Sequence, residues 1–244
     1  MSKKDQIYDT KKNEIVDFAF NEQVVAVFPD MIRRSIPGYE TIIPLCALLA
    51  TNHLRKLGTN QHIVYDLGCS LGASSAALLS QFPDESLSIV AVDNSEAMIA
   101  EATRLNPDPR LKFLQADVLD LEMKNVSIVI ANFLFQFIPR QQREDLLTNI
   151  RAALNPDGLL IISEKIFSPK QEDQHLFDKT HLDYKRANGY SDLEINQKKE
   201  ALEKVMLIDS EEVHMARLHK AGFHKITKWF QCLNWASYLV QIEN

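Results

Sequence analysis

A short run of residues around position 66 combines a carboxylate with two glycines in a pattern suited to a nucleoside ligand. Residues 63–72 read I-V-Y-D-L-G-C-S-L-G, so β-favouring residues lead into Asp66, and Gly68 and Gly72 follow before a helix-compatible run. A strand that ends in a glycine turn and opens a helix presents free backbone N–H groups to a ligand. The spacing differs from the G-x-G-x-x-G of dinucleotide-binding folds. Asp66 instead suits a cationic group, such as the amino end of a methionine moiety.

A second carboxylate follows the next apolar run. Residues 89–92 are consistent with a buried parallel strand, and Asp93 closes that strand. An acid in this place after a glycine turn is positioned to accept both hydroxyls of a ribose. A strand-end aspartate also often caps a helix, although Ser95 is the better cap for the helix that follows. Turn, helix, strand and acid together predict a nucleoside site.

From about residue 60 onward the chain resembles the class I S-adenosylmethionine-dependent methyltransferases. Residues 111–118 are similar to their third strand, with the acid that reaches the adenine amino group, and residues 126–132 to their fourth. The run at 155–158 resembles the turn into a fifth strand, and residues 221–240 resemble the closing helix and reversed hairpin. The resemblance implies an α/β, Rossmann-like fold with a mostly parallel seven-stranded sheet and helices on both faces.

Composition narrows the classes of function. The chain has 244 residues, a net charge of −6 and no dense run of Lys or Arg. Proteins that grip RNA usually carry a basic surface, so we expect no direct nucleic-acid binding. Three widely spaced cysteines without a C-x-x-C pair fit a reducing compartment. The polar start is unlike a signal peptide, and no apolar run approaches the roughly 20 residues that span a bilayer. A cytoplasmic protein without a membrane contact is predicted.

The chain is interpreted as a single methyltransferase-like domain over residues 1–244. Its parts are a helical extension, a nucleoside-binding half, a helical insertion and a closing helix with hairpin, at residues 1–60, 61–165, 166–209 and 210–244. In the extension, a helix is predicted over 17–28, with a break that begins at Pro29. A turn at 36–39 precedes a second apolar helix, and Tyr39 beside this turn is a candidate lid residue over the nucleoside pocket.

The insertion carries most of the charged side chains that are candidates for a substrate. Ser191 and Glu194 form a capping box, which predicts a helix that continues to Met206. Insertions at this point of α/β enzymes commonly build a substrate site or a subunit contact. Four cations suit an anionic substrate, namely Lys185, Arg186, Lys198 and Lys199. The alternative is a solvated, charged helical flap.

A metal site is considered in the same insertion and set aside. His175 and His181 lie among several aspartates, but they lack the i, i+4 spacing of H-E-x-x-H, and no cysteine joins them. Both are therefore interpreted as surface histidines on a polar helix, and no metal is predicted.

Four longer runs are similar to the carboxy-S-adenosylmethionine synthase family. They read V-F-P-D-M-I-R-R-S-I-P-G-Y, Y-D-L-G-C-S-L-G-A, K-R-A-N-G-Y-S and R-L-H-K-A-G-F, at residues 27–39, 65–73, 185–191 and 217–223. This resemblance covers nearly the full length. It implies a homodimeric enzyme that converts S-adenosyl-L-methionine and prephenate to carboxy-S-adenosyl-L-methionine and phenylpyruvate. It also implies that the product supplies a carboxymethyl group for wobble uridine in tRNA, through a separate enzyme.

The implied chemistry reverses the usual role of the sulfonium methyl group. The methyl carbon becomes a nucleophile, as an ylide that captures carbon dioxide released from prephenate. Aromatisation of the prephenate ring drives the reaction, and the departing hydroxide serves as base. The protein would mainly position the reactants and exclude water, so no catalytic residue is assigned.

The resemblance also implies a set of ligand contacts. Nine positions match those of the family, and they are Tyr39, Gly68, Cys69, Ser70, Asp93, Asn94, Asp117, Val118 and Asn132. Asn132, at the end of the fourth strand, suits a hydrogen bond to the methionine end or to the new carboxylate. Where the family has an arginine for the added carboxylate, this chain has Lys199, which keeps the charge without the bidentate fork.

Two other functions compete with the synthase. The first is an S-adenosylmethionine-dependent methyltransferase that acts on a small acid or on RNA. The second is a nucleoside-binding partner subunit without turnover. The mass of the released nucleoside separates the synthase from the methyltransferase.

Overall fold

The computed structural model describes residues 3–58 and 61–242, so Met1 and Ser2, where the predicted polar start begins, lie outside the described residues. Within these ranges the chain forms eight strands: β1 His62–Leu67, β2 Leu87–Asp93, β3 Leu111–Gln115, β4 Val126–Asn132, β5 Leu154–Phe167, β6 Asp209–Ser210, β7 Lys225–Cys232 and β8 Trp235–Gln241. The α-helices of the same ranges are α1 Glu22–Ser35, α2 Tyr39–Leu57, α3 Ala73–Gln81, α4 Glu96–Leu105, α5 Arg143–Ala153, α6 Gln171–Ala187, α7 Asp192–Leu202 and α8 Glu211–Lys220. Short 3₁₀ helices lie at Val118–Asp120, Phe135–Phe137 and Arg140–Gln142.

The strands build one twisted sheet in the order β3-β2-β1-β4-β5-β8-β7. Strands β1 to β5 run parallel, whereas β8 runs antiparallel to both β5 and β7. The predicted α/β fold, with its parallel sheet and reversed C-terminal hairpin, is confirmed. The two-residue strand β6, which pairs in parallel with Ile166 and Phe167 at the end of β5, was not predicted.

Helices cover both faces of the sheet, which explains the continuous apolar runs of the central strands. Ile42 of α2 and Leu78 of α3 share a buried cluster with Ile128 of β4. Leu146 of α5 and Leu218 of α8 belong to a second buried cluster on the other face. None of the helices in the described part of the chain is long and apolar enough to cross a membrane.

The sheet order places a crevice where the direction of winding reverses. β1 pairs with β2 on one side and with β4 on the other, so the connections that leave β1 and β4 diverge at this point. In open α/β sheets, ligands bind in the crevice outside the carboxyl ends of strands at such a switch point. The glycine turn after β1 lies in that crevice.

The first helix differs from its prediction. It was expected over 17–28 with a break from Pro29, but α1 spans Glu22–Ser35 and contains Pro29. Asn21 caps its start by accepting from the backbone N–H groups of the second and third helical residues. Burial of an apolar face, with Phe28 and Met31 among its members, outweighs the one hydrogen bond that proline removes.

Two other boundaries also need correction. α7 begins after Ser191, whose capping box with Glu194 is confirmed, but it ends at Leu202 and not at Met206. The run at 155–158, predicted as a turn, lies inside β5. β5 begins early because Leu154 pairs with β4 on the far side of a register shift.

Candidate functional site

The glycine turn after β1 is anchored to the end of β2. The backbone N–H groups of Gly68 and Cys69 both donate to the carbonyl oxygen of Val92, at 2.8 and 2.9 Å. Gly68 has a φ of +70°, and a Cβ at this position would lie 3.0 Å from a methyl carbon of Leu134. Glycine is needed here for both reasons, and its bare backbone borders the cavity.

Two backbone N–H groups hold the carboxylate of Asp93, one from the glycine turn after β1 and one from the residue that caps α4. Its Oδ2 accepts from the N–H of Ser70 at 2.9 Å, and its Oδ1 accepts from the N–H of Ser95 at 3.0 Å. Burial raises the pKa of this carboxyl group, and the backbone hydrogen bonds oppose the shift. Ser95 caps α4 as predicted, because its Oγ accepts from the N–H of Met98. Each carboxylate oxygen keeps acceptor capacity for a ribose hydroxyl.

Asp66 lies deeper, at the end of β1. Its Oδ2 accepts from the Oγ of Ser75 at 2.7 Å and from the N–H of the same residue at 3.2 Å. Burial is the main cause that raises its pKa to about 6. Its other oxygen accepts no hydrogen bond from the described residues. A ligand ammonium group beside Asp66 would complete its bonding and lower that pKa.

Asn132 ends β4 with its amide held in one orientation. Its Oδ1 accepts from the Oγ of Ser163 at 2.7 Å, and its Nδ2 donates to the Oγ of Ser74 at 3.1 Å. The Oγ atoms of Ser163 and Ser237 are themselves 2.7 Å apart, which links the amide to β8. The side chain is therefore preorganised beside the glycine turn.

Asp117 follows β3 and completes a row of strand-end carboxylates. Its Oδ1 accepts from the N–H of Leu119 at 3.0 Å and caps the short 3₁₀ helix that begins at Val118. Asp66, Asp93 and Asp117 all line one cavity, and they follow the neighbouring strands β1, β2 and β3. We call these three residues the acidic side of the cavity.

The cavity has a volume of about 1530 Å³ and brings together nine of the ten predicted ligand residues. The nine are Tyr39, Gly68, Cys69, Ser70, Asp93, Asn94, Asp117, Val118 and Asn132. Tyr39 stands at the start of α2, with its ring 6.3 Å from that of Phe133, and burial raises its pKa well above the usual range. Burial likewise raises the pKa of Cys69, so this thiol is a packed group and not a reactive one.

Lys199, the tenth residue, lies apart from the other nine. Its side chain is on the exposed face of α7 and does not line the cavity. The charge of Lys199 nevertheless acts on two lysines that line the cavity, because it lowers the pKa values of Lys165 and Lys185. The predicted contact between Lys199 and a ligand carboxylate stays a prediction.

A cluster of lysines borders the same cavity. Lys165 comes from the end of β5, Lys185 from α6 and Lys198 from α7. We call these three residues the lysine side. Sequence reasoning named Lys185 and Lys198 as candidates for an anion but missed Lys165. The position of Lys165 near the carboxyl end of a parallel strand is the signal that could have identified it.

The interpretation of His181 as a surface histidine was wrong, whereas His175 is exposed as predicted. His181 is buried, and its Nε2 lies 2.9 Å from the carbonyl oxygen of Ser35. Its ring packs edge-on against Trp235, with centroids 4.4 Å apart. Burial and the nearby lysines lower its pKa to about 3, so the ring is neutral at pH 7.

The N-terminal segment forms a wall of the cavity that sequence reasoning missed. Residues 18–21 line the cavity, and the carbonyl oxygen of Phe20 accepts from the Oγ of Ser95 at 2.5 Å. Gln197 of α7 donates from its Nε2 to the carbonyl oxygens of Tyr8 and Thr10. Because this segment has no regular secondary structure, no periodic pattern could have placed it.

No group of three or more His, Cys, Asp or Glu side chains in residues 3–58 and 61–242 is arranged to hold a metal ion. The polar groups of the cavity instead suit an organic ligand, with cationic atoms toward the acidic side and anionic atoms toward the lysine side.

The chain is similar to known proteins over most of its length. Residues 64–158 match the family model described as a methyltransferase domain. A carboxy-S-adenosyl-L-methionine synthase of Trichlorobacter lovleyi is 47% identical over 243 residues, which cover 97% of this chain and 98% of the relative. The relative of the same name from Chromohalobacter salexigens is 43% identical and covers 97% of this chain and 87% of its own length.

Solved structures support the fold alone. An O-methyltransferase family protein from Burkholderia thailandensis superposes with a TM-score of 0.65 at 14% identity, over 91% of this chain and 60% of that one. Human N-acetylserotonin methyltransferase gives a TM-score of 0.62 at 13% identity, over 91% and 56% of the two chains. The chain thus spans less than two thirds of either solved structure.

Proposed function

The chain belongs to the carboxy-S-adenosyl-L-methionine synthase family, and we propose that it converts S-adenosyl-L-methionine and prephenate to carboxy-S-adenosyl-L-methionine and phenylpyruvate. The observation that carries this proposal is the 47% identity over nearly the whole of both chains. The similarity extends beyond the methyltransferase match at 64–158 to the helices α1, α6 and α7. These added helices supply residues to the cavity, so the similarity also covers the part of the cavity that lies outside the methyltransferase match.

The acidic side supports a bound S-adenosyl-L-methionine. In our assignment Asp93 accepts from the ribose hydroxyls, Asp117 and Val118 contact the adenine, and the turn at Gly68 lies against the ligand. Asp66 and Asn132 then face the methionine end. One of the carboxylate oxygens of Asp66 accepts no hydrogen bond from the described residues, and Asn132 presents a fixed amide. Tyr39 closes the pocket from the start of α2.

The proposed chemistry needs few groups from the protein. The sulfonium methyl group loses a proton to the hydroxide that leaves prephenate, and its carbon bonds to the carbon dioxide released in the same fragmentation. Water and phenylpyruvate are then the other products, so atoms and charge balance. The protein contributes by holding the reactants together and by excluding bulk water, which would trap the reactive carbon. The wall formed by residues 18–21 and the ring of Tyr39 serve that exclusion.

Mass spectrometry of the released nucleoside tests the proposal. Purified protein is incubated with S-adenosyl-L-methionine, with and without prephenate. The synthase yields a nucleoside heavier by one carbon dioxide, together with phenylpyruvate, only when prephenate is present. Release of S-adenosylhomocysteine with a small acid or RNA would support the methyltransferase alternative. Binding without turnover in every mixture would support the partner-subunit alternative.

The wider role that we propose follows from the product. Carboxy-S-adenosyl-L-methionine would be the donor of a carboxymethyl group for wobble uridine in tRNA, with a separate enzyme performing the transfer in the cytoplasm. A net charge of −6 agrees with a protein that makes the donor and leaves RNA binding to another.

We also propose a homodimer in which the 166–209 segment contacts the partner. Leu176 of α6 and Leu193 of α7 are 58% and 39% exposed, although both are large apolar side chains. A second copy packed on these helices would cover both and bring Lys199 near an interface. Light scattering on the wild type and on L176E, which puts a charge into the proposed contact, tests the homodimer. A monomeric wild type would contradict it.

A further inference from the structure

Three ammonium groups border one part of the cavity, and they differ in how their charge is balanced. The Nζ of Lys198 lies 3.6 Å from the Oδ2 of Asp5 and 3.2 Å from the Oγ of Ser35. The ring of Tyr190 lies 5.5 Å from the same Nζ. Lys198 is thus a compensated cation, held in place by the N-terminal segment and the end of α1.

Lys165 and Lys185 have no such partner. Neither ammonium group makes a hydrogen bond or an ion pair within 3–58 and 61–242, and Lys165 has only the ring of Trp235, at 5.1 Å. Asp178 acts on Lys165 by charge alone, without an ion pair. For Lys185, burial and the neighbouring lysines all act in one direction, and they lower its pKa to about 7.

Two other titratable groups that line the cavity add no counter-charge to these cations. His181 is neutral, and Arg33, which also lines the cavity, has its own partner in Asp30 at 3.6 Å. Lys165 and Lys185 are half-buried. Withdrawing a charge from water without a counter-charge is costly, and such charges are characteristic of sites that bind an opposite charge. Two unpaired cations in one cavity point to a ligand with two anionic groups.

We propose that Lys165 and Lys185 bind the two carboxylates of prephenate. This subsite rests on the proposed function, which supplies the dicarboxylate. Lys198, already paired with Asp5, positions the helix α7 beside the subsite. The acidic side repels a dianion and attracts a sulfonium ligand, so each reactant has one favourable place in the cavity.

Steady-state kinetics give the first test. We compare K165Q and K185Q with K179Q, a matched control because Lys179 is an exposed lysine on the same helix as Lys185. With S-adenosyl-L-methionine saturating, each cavity variant should raise the KM for prephenate at least tenfold, the effect expected for a lost charge-assisted hydrogen bond. K179Q should match the wild type, and K185R should recover part of the loss. Unchanged KM values in K165Q and K185Q would overturn the subsite.

A binding measurement separates this subsite from the proposed reaction. Prephenate or phenylpyruvate is titrated into protein saturated with S-adenosylhomocysteine, which has no methyl group to carboxylate. The wild type should bind the dicarboxylate more tightly than the monocarboxylate, and K165Q or K185Q should remove most of that difference. A wild type that binds prephenate in this way but forms no carboxylated nucleoside would refute the proposed function and leave the subsite standing. Equal affinity for the two acids in the wild type, or variants that instead lose S-adenosylhomocysteine, would refute the subsite.

Discussion

Three carboxylates line one part of the cavity, whereas the lysine side carries three ammonium groups within the same space. The acidic side is a row of strand ends, with Asp66, Asp93 and Asp117 following β1, β2 and β3. The lysine side draws on the end of β5, the last parallel strand, and on α6 and α7, and its three residues all follow the methyltransferase match at 64–158. The first side is suited to a cationic nucleoside, and the second is what an added anionic substrate requires.

The two sides also differ in how their charges are satisfied. Asp93 accepts two backbone N–H groups, and Asp66 accepts from both the Oγ and the N–H of Ser75. Lys165 and Lys185 have no charged partner in contact within the described part of the chain. A preorganised acceptor binds a neutral or cationic donor with little rearrangement, whereas unpaired cations gain most when an anion arrives. We infer that the acidic side orients its ligand through preorganised acceptors, whereas the lysine side attracts its ligand through unpaired charge.

Removing the carboxylate of Asp93 should produce the largest effect on the acidic side. Asp93→Ala is expected to weaken S-adenosyl-L-methionine binding by about 1.5–3 kcal/mol, the scale of a hydrogen bond to a charged group. Calorimetric titration measures the change. Asp120→Ala is the matched control, because Asp120 is exposed and lies outside the cavity. Unchanged affinity in a folded Asp93→Ala protein would remove this residue from the site. A selective loss of prephenate binding would break the assignment of the two sides.

Raising the pH should weaken the lysine side and spare the acidic one. Lys185 faces Lys165 on β5 and Lys198 and Lys199 on α7, and its pKa in the ligand-free protein is about 7. Above that pH the free protein loses the charge that prephenate needs, so binding must take up a proton. Prephenate affinity should then fall by up to about tenfold per pH unit, between about pH 7 and pH 9. Calorimetry in buffers of different ionisation enthalpy detects the proton. A flat profile, or an equal fall in nucleoside affinity, would contradict the assignment.

Lys199 offers a smaller, ligand-selective test. Lys199→Ala should reduce affinity for carboxy-S-adenosyl-L-methionine more than for S-adenosyl-L-methionine, by at most about 1 kcal/mol, because Lys199 is exposed. Lys199→Arg should be tolerated, because a guanidinium can pair with both carboxylate oxygens. Both affinities are measured for both variants. Losses of equal size for the two ligands, or none for either, would show that Lys199 is only a surface residue of α7.

The smallest effect is expected with tRNA. With a net charge of −6, the protein should bind tRNA weakly or not at all at physiological salt, despite the local lysine side. Filter binding or fluorescence anisotropy with competitor RNA measures this. Micromolar or tighter binding under those conditions would mean that the lysines serve a polyanion and not a small dicarboxylate.

Local patterns predicted Asp66 and Asp93 of the acidic side because both follow strands of one βα unit, whereas Asp117 was named from the resemblance to the methyltransferases. The strand before Gly68, the cap at Ser95 and the acid at Asp93 are each encoded within a few residues of the chain. The predictions failed where distant contacts decide the outcome. Pro29 remains inside α1 because packing stabilises the helix, and His181 is buried because Trp235 and Ser35 cover it.

The sequence by itself determined the α/β order and the glycine turn, since parallel strands bring their carboxyl ends to one edge. Nine residues that share the cavity were named from the resemblance to the synthase family. Only the tertiary structure decided which lysines face that cavity and which of them are paired. Lys198 pairs with Asp5, which lies near the opposite end of the sequence, and Lys165 and Lys185 come from different elements. Adjacent residues such as Lys198 and Lys199 point to different sides of α7, one buried and one exposed. The sequence shows that these residues are charged, but only the packing of the helices decides whether a lysine lines the cavity or faces solvent.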